Sequence, residues 1–272
     1  TAEGGTEYEH AVSLARSTEL AGPYEIHPQN PILTSSGKPE LKLQKAGHAS
    51  LIETKENQWY MTHLCGRPLP GTNKCNLGRE TAIQKVEWRD DDWLYLTNGG
   101  NEPHEQVQPP PLEPCPWDEL PNPLPFDSPH FAIPRGPSSS VMIEPDGLTL
   151  VGMESLESNF EQAMLARRLT SQRLTATTKL SFQPENFQQM AGMAAYYNTY
   201  LFHYLYLSND EERGLCLQIH SCDDGSSTFP LGPEIVPVTG GPLYLRAIFD
   251  DSSLEFQFSH DGEYFKKVGP TL

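Results

Sequence analysis

Basic residues are scarce in this sequence. Its 272 residues include 19 Lys and Arg against 36 Asp and Glu, which gives a formal net charge of −17 and a pI near 4.8. Nucleic acids and anionic membrane surfaces both need a positive field on the protein, so this charge argues against either as a partner. It fits a neutral or cationic ligand. The alternative is that the acidity only keeps the protein in solution.

Long hydrophobic runs are also missing. No run of 18 apolar residues is present, so no transmembrane helix is expected. No basic segment followed by an apolar one opens the chain, and hence no signal peptide is visible. That absence carries little weight, because the chain starts with Thr1 rather than Met. Location is therefore open, with the cytoplasm favoured and secretion as the alternative.

Cysteine is sparse, and its spacing fits no zinc motif. The five cysteines are an odd number, which argues against a framework in which every cysteine is paired. Cys65 and Cys75 flank a short loop and would pair in an oxidising compartment. Free thiols in a reducing compartment are the favoured alternative.

A sustained 3.6-residue hydrophobic period is absent, so few helices are expected and the fold class is all-β. Residues 1–100 carry short β-like runs broken by Gly, Pro and Asn. "HAVSLARS" is interpreted as one strand. "ASLIET" and "WYMTHL" predict a hairpin turning at "KENQ", and "RETAIQKVEW" and "DWLYLT" predict another turning at "RDDD".

Two further regions follow. Residues 103–140 lie in a stretch that holds about half of the 25 prolines. It is expected to be an extended linker between a domain at 1–102 and a domain at 141–272. In the second domain about seven alternating runs predict a β-sandwich. Leu243, Leu245, Ala247 and Phe249 share one strand face, and Leu254, Phe256 and Phe258 share another.

Several residues are candidates for chemistry, each with a structural alternative. Glu3 in "AEGGT" is preferred as a strand-to-turn glutamate rather than an acid or base. His48, at a strand entrance after Gly47, could line a pocket, bind metal or orient a carboxylate, and an ordinary surface or core histidine is the alternative favoured by the residues alone. His63, inside an alternating strand, is expected to be structural.

Arg79, at a strand mouth after Gly78, suits a carboxylate or sugar hydroxyls because its five donors are fixed and its charge is permanent. A surface ion pair with Glu80 or another nearby acid is the alternative for Arg79. An ion pair is the favoured role of Arg67.

Aromatic residues repeat at period two in "YYNTYLFHYLY". Such a face could stack on sugar rings, but sandwich core is the favoured interpretation. No Gly-rich phosphate loop, serine nucleophile elbow, HExxH or EF-hand motif is present.

Long ordered phrases resemble a glycoside hydrolase family 43 β-xylosidase. Those resembling the second half of its catalytic domain are "TAEGGTEYEHAVSLARS", "GPYEIHPQNPILTS", "LQKAGHASLIET", "WYMTHLCGRPL" and "LGRETAIQKVEW". Those resembling its C-terminal concanavalin A-like sandwich are "ARRLTSQRLTATTKLSFQPENFQQMAGMAAYYNT" and "YLYLSNDEERG". The resemblance covers most of residues 1–100 and 148–270.

The resemblance implies the C-terminal part of a five-bladed β-propeller over residues 1–102, followed by an incomplete sandwich over 141–272. It implies an exo-acting, inverting β-1,4-xylosidase with α-L-arabinofuranosidase side activity. The substrates would be xylo-oligosaccharides or arabinoxylan-derived sugars, and the parent enzyme could form a homo-oligomer. No cofactor is required, although a divalent cation such as calcium is known near this site in some members.

By the same resemblance, Arg79 matches an arginine that hydrogen-bonds the sugar in the terminal subsite. His48 matches a histidine under that subsite, beside the cation where one is bound, and Thr6 matches a threonine of the pocket wall. The three catalytic carboxylates are expected upstream of Thr1. The chain is thus expected to be an inactive fragment, short at both ends.

Two alternatives stay open. The first is a non-catalytic carbohydrate-binding sandwich that uses Tyr196, Tyr204 and Tyr206 as its platform. The second is a complementing half that regains activity with a partner chain carrying the carboxylates.

Overall fold

The computed structural model describes residues 2–3, 8–115, 119–135, 138–145 and 147–272. Its chain divides into two compact units, residues 1–119 and 120–272. Within the described ranges the only helix is a short 3-10 helix, Ser138–Ser140, which confirms the all-β expectation. In that same part of the chain no helix is long and apolar enough to cross a membrane.

The described residues of unit 1 form three antiparallel sheets. The first has β1 (Ala2–Glu3), β2 (Ala11–Val12) and β5 (Leu33–Thr34); the second has β3 (Ala15–Arg16) and β4 (Glu25–Ile26); the third has β6 (Gln44–Glu53), β7 (Trp59–Gly66), β8 (Glu80–Trp88) and β9 (Leu94–Leu96). Both predicted hairpins are confirmed, as β6–β7 and β8–β9. Apolar side chains between the first and third sheets form the core, including Val12, Leu33, Met61, Val86 and Leu94.

The prediction of one strand over "HAVSLARS" is wrong. The segment is split into β2 and β3, which belong to different sheets. Between them, the Asn30 side chain accepts from the amide of Leu14 and donates to its carbonyl, both at 2.9 Å. An amide side chain thus replaces a neighbouring strand at Leu14, and the chain changes sheets there.

The start of the predicted linker is bound to unit 1. The buried Gln84 side chain donates to the carbonyl of His104 and accepts from its amide, both at 3.0 Å. Salt bridges join Lys38 to Glu102 and Lys42 to Glu105. The segment 103–140 as a whole spans the division between the two units, and its role as a linker stays a prediction.

In unit 2, the part of the chain that the structure describes forms four sheets. Two are strand pairs: β10 (Phe131–Ala132) with β13 (Ala166–Arg167), and β11 (Val141–Glu144) with β12 (Gly147–Leu150). The third has β14 (Arg173–Leu180), β20 (Leu243–Asp250), β21 (Ser253–Ser259) and β22 (Lys266–Val268). The fourth has β15 (Ala191–Asn198), β16 (Leu201–Asp210), β17 (Gly214–Asp223) and β18 (Ser226–Thr228), with β19 (Val236–Pro237) on β17.

The core of unit 2 lies between the two large sheets. It contains Leu205, Leu207, Leu217 and Ile219 from one, and Leu243, Leu245, Phe256 and Phe258 from the other. The alternation predicted for β20 and β21 is therefore confirmed. It arises because successive side chains of a strand point to opposite sides of its sheet.

The interpretation of the tyrosine stripe as sandwich core is wrong. Leu205 and Leu207 face the core, so Tyr204 and Tyr206, which alternate with them, lie on the opposite side of the sheet. That side is itself largely covered. Tyr206 is only 6% exposed, and burial raises the pKa of its hydroxyl to about 12. The phrase that holds the stripe forms the hairpin β15–β16.

Candidate functional site

The two best-placed candidate residues, His48 and Arg79, lie at the same end of the β6–β9 sheet. Gly47 of β6 pairs with Leu64 of β7, and Leu64 pairs with Thr81 of β8. His48 follows Gly47 in the chain, and Arg79 directly precedes β8. The register therefore brings both to one end of the sheet, with β7 between them.

Arg79 is presented by a turn. Gly78 has a φ of 71°, a conformation that glycine adopts without steric cost, and its amide donates to the carbonyl of Cys75. Arg79 itself is exposed. In the part of the chain that the structure describes, its guanidinium has no hydrogen bond and no ion pair.

Glu80 is engaged by Arg67 instead of Arg79. The Nε and Nη2 atoms of Arg67 donate to both carboxylate oxygens of Glu80 at 2.7 to 3.2 Å. The role predicted for Arg67 is thus confirmed, and the alternative predicted for Arg79 is not observed. Arg79 remains available for a ligand.

His48 sits in an irregular part of β6. The register of β6 against β7 shifts on both sides of Gly47, and Lys45 and His48 adopt φ values of 58° and 52°. Residues other than glycine rarely take such values, and bulges of this kind re-aim side chains. As a result Ala46 and Gly47 are buried while His48 is exposed.

Gly47 is in close contact with a buried histidine. A methyl carbon on Gly47 would lie 1.7 Å from Cδ2 of His10, so only glycine fits there. His10 is 3% exposed and precedes β2. The packing of His10 on Gly47 therefore fixes the backbone from which His48 projects.

His63 is structural, as predicted. It is 2% exposed, and its Nδ1 donates to the carbonyl of Leu64 at 2.9 Å. Burial lowers the pKa of the imidazole, and the Leu64 carbonyl opposes that effect. The ring is thus kept neutral inside unit 1.

Thr6 lies outside the described residues, and for Glu3 only the backbone, in β1, is described. Among the residues that are described, no group of three or more His, Cys, Asp and Glu side chains could hold a metal ion. His48 is exposed, and a single imidazole does not make a cation site. The divalent cation stays a prediction.

Two surface cavities of unit 1 lie away from Arg79 and His48. The first, about 190 Å³, is lined by His27, Tyr95 and Asn101 among others. The second, about 360 Å³, is lined by polar residues around Gln84 and His104. Neither is lined by two carboxylates.

Sequence reasoning missed the surroundings of His27. Its ring stands edge-on to Trp93 and Tyr95, with centroids 4.9 Å apart in each case, and Arg16 lies 4.0 Å over Trp93. His27 is 2% exposed, and burial lowers its pKa. The three prolines in the sequence around His27 indicate turns, and turns have no hydrophobic period that would predict a buried side chain.

Comparison with known proteins identifies the class of protein. Residues 1–94 match the model for glycosyl hydrolases family 43, and residues 126–272 match that for the beta-xylosidase C-terminal concanavalin A-like domain. The chain belongs to glycosyl hydrolase family 43. The expected fold, part of a β-propeller followed by a concanavalin A-like sandwich, is thereby confirmed.

Individual relatives agree with this family assignment. The chain is 41% identical over its whole length to a Beta-xylosidase of Bacillus subtilis (strain 168), covering 54% of it. It is 40% identical to Xylosidase/arabinosidase 43B of Humicola insolens, covering all of this chain and 52% of the relative. A solved xylan beta-1,4-xylosidase from Bacillus halodurans C-125 is 44% identical with a TM-score of 0.93, over 100% of this chain and 53% of that one. The chain thus spans about half the length of these relatives.

Proposed function

We propose that the protein containing these 272 residues is an exo-acting β-1,4-xylosidase with α-L-arabinofuranosidase side activity. The observation that carries this is the likeness of the entire chain to proteins named as xylosidases, at 40% identity and above. The substrates would be xylo-oligosaccharides or arabinoxylan-derived sugars. Such sugars are uncharged, so the net charge of −17 would not repel them.

Arg79 is proposed as the residue that grips the terminal sugar. Its guanidinium offers several donors in a fixed plane, and no described side chain occupies them. Hydrogen bonds from a charged donor are stronger than those from a neutral one. His48 would support the sugar at the same end of the sheet, and Thr6 would contribute from the pocket wall.

The proposed reaction inverts the anomeric carbon. It needs one carboxylic acid to protonate the leaving oxygen and one carboxylate to activate water. The cavities described above hold no such pair. We therefore assign the acid, the base and the third, tuning carboxylate to residues outside these 272, and we expect these residues alone to be inactive.

The test of Arg79 uses the whole protein and p-nitrophenyl β-D-xyloside. Arg79→Ala should lower kcat/KM about ten- to hundredfold, because one or more charge-assisted hydrogen bonds are lost. Arg79→Lys should recover only part of this, since an ammonium lacks the planar fork. The matched control is Arg89→Ala, at the opposite end of β8, where the arginine pairs with Glu87.

An unchanged kcat/KM in Arg79→Ala would show that Arg79 does not bind the sugar. The 272 residues by themselves, offered the same xyloside, should show no turnover. Turnover near that of the whole protein would contradict the assignment of the carboxylates. Parallel assays with p-nitrophenyl α-L-arabinofuranoside measure the side activity.

A further inference from the structure

Unit 2 carries exposed aromatic rings beside hydrogen-bonding side chains, at one end of the β15–β18 sheet. We propose that this aromatic patch, formed by Glu157, Asn159, Tyr200, His220 and Phe229, binds a chain of neutral sugars. The site is additional to the one around Arg79. Only the choice of xylan as the sugar chain rests on the function proposed above.

Phe229 is a fixed ring with one free face. It stacks on His220 with ring centroids 5.1 Å apart and planes 15° from parallel. His220 in turn stands edge-on to the buried Phe202 at 5.2 Å. Phe229 nevertheless remains 52% exposed. A ligand that stacks on it would therefore meet a ring that is already ordered, which lowers the entropy cost of binding.

Tyr200 is a second fixed ring. It is 53% exposed, and its hydroxyl accepts a hydrogen bond from Nδ2 of Asn159 at 3.3 Å. Its backbone amide is held by Asn198, and its carbonyl accepts from the amide of Gly225 at 3.0 Å. These bonds hold the ring in place although half of it faces solvent.

Residues 157–159 connect the two rings. Glu157 accepts a hydrogen bond from the hydroxyl of Ser227 and lies 3.7 Å from Nε2 of His220, next to Phe229. Asn159, two positions further on, contacts Tyr200. Two residues of extended chain span at most about 7 Å. One short segment therefore reaches both parts of the patch, with Glu157 beside His220 and Asn159 at Tyr200.

This chemistry suits a sugar better than other ligands. The C–H faces of pyranoses pack on aromatic faces, while their hydroxyls need acceptors such as a carboxylate and an amide. Burial lowers the pKa of His220, so at neutral pH the imidazole does not cancel the charge of Glu157. A purely apolar partner would take the second carboxylate oxygen of Glu157 out of water without a hydrogen bond, and an acidic partner would be repelled by the protein's negative charge.

The platform that the sequence suggested used other residues. Of Tyr196, Tyr204 and Tyr206, none is among the exposed large side chains, and Tyr206 is buried. Tyr200 lies in the turn between β15 and β16, and Phe229 directly follows β18. The proposed site thus differs in position from the predicted tyrosine platform.

Affinity electrophoresis of the whole protein in gels containing soluble xylan tests the patch without measuring hydrolysis. All variants carry Arg79→Ala to weaken binding at the other site. Phe229→Ala and Tyr200→Ala should each weaken the retardation about five- to tenfold in dissociation constant, whereas Tyr200→Phe should retain it. Tyr264→Ala is the matched control, because Tyr264 is 78% exposed in the same unit.

Retardation that is equal in the parent, Phe229→Ala and Tyr200→Ala would overturn the proposal, as would no retardation of the parent. A Tyr264→Ala effect as large as that of Phe229→Ala would also overturn it, since any exposed ring would then serve. The function proposed above is tested by a separate assay, xyloside hydrolysis, so its failure can be distinguished from failure of the sugar-binding patch. Because all three rings lie at the surface, melting temperatures within a few degrees of the parent would show that the variants fold.

Discussion

At the scale of single residues, the availability of Arg79 depends on its neighbours. Glu80 is the next residue in the chain, and a free carboxylate there would attract the guanidinium of Arg79. Arg67 takes up both oxygens of that carboxylate through its own fork. The Arg67–Glu80 pair is partly exposed, so its contribution to folding should be about 0.2–1 kcal/mol. Its larger effect should be to keep Glu80 from pairing with Arg79.

We expect Arg67→Gln in the whole protein to raise KM for the xyloside about two- to fivefold, because the freed Glu80 competes for Arg79. Glu80→Gln should change KM little, since it removes the competitor. The double variant Arg67→Gln/Glu80→Gln should return to the parent value. Steady-state kinetics of all four proteins form the measurement. If Glu80→Gln is as harmful as Arg67→Gln, the pair is only structural.

Sequence could identify Arg79 as a candidate but not the partner of Glu80. The adjacent Arg79 was the partner that the sequence suggested for Glu80. Glu80 instead lies opposite Cys65 in the β7–β8 ladder, within reach of Arg67. The Arg67–Glu80 pairing depends on the register between β7 and β8. These two residues are 13 positions apart in the chain, at the two ends of the loop that joins the strands. A loop of that length does not fix register by its sequence.

At the scale of elements, β6 departs most from a regular strand. Its alternation is interrupted on both sides of Gly47, where the His10 ring occupies the space of a side chain. The hairpin β6–β7 could be predicted from its turn and its apolar runs. The bulges could not, because they come from a contact with a residue more than thirty positions away.

Gly47→Ala should destabilise the protein by about 1–3 kcal/mol, since the added methyl overlaps the His10 ring. It should also raise KM for the xyloside if His48 lies under the sugar. Thermal unfolding and steady-state kinetics measure the two effects. Gly100→Ala is the matched control, because its new methyl carbon would meet nothing closer than 4.0 Å.

The double variant His10→Ala/Gly47→Ala removes the overlapping ring and should be less destabilised than the sum of its single changes. A Gly47→Ala protein as stable as the parent would show that the backbone of β6 moves freely away from His10. In that case the bulge would not be held by this contact.

At the scale of the whole molecule, histidines in both units make the fold sensitive to acid. Burial is the leading cause of a lowered pKa in His27, His63, His203 and His220. As pH falls below the ordinary value of 6.5, the unfolded chain takes up protons before the folded one does. The free energy of unfolding therefore falls below about pH 6.5.

We expect the urea midpoint to be lower at pH 5.5 than at pH 7.5, with the difference reduced in His63→Gln. The measurement belongs in 1 M salt, where the Debye length is about 3 Å and relief of repulsion among acidic groups contributes little. The carboxyls with lowered pKa, such as Asp261 at about 2, titrate below this range. Equal midpoints at the two pH values would contradict the expectation.

Raising the pH lowers the stability of the fold through a buried thiol. Burial raises the pKa of Cys65 from 9.0 to about 11, so the stability linked to its neutral form is complete below pH 9 and declines above it. Together with the histidines, Cys65 places the most stable range between about pH 7 and 9. Among the described residues the cysteines form no disulfide.

The two-way hydrogen bonding between Gln84 and the backbone of His104 has a practical consequence for anyone who divides this gene. A cut at residue 102 or 103, where the composition changes, would remove both hydrogen bonds between Gln84 and the backbone of His104 and expose a polar side chain that is now buried. It would also release Lys42 and Lys85 from Glu105 and Gln108. An expression boundary placed beyond Gln108 would keep all of these attachments.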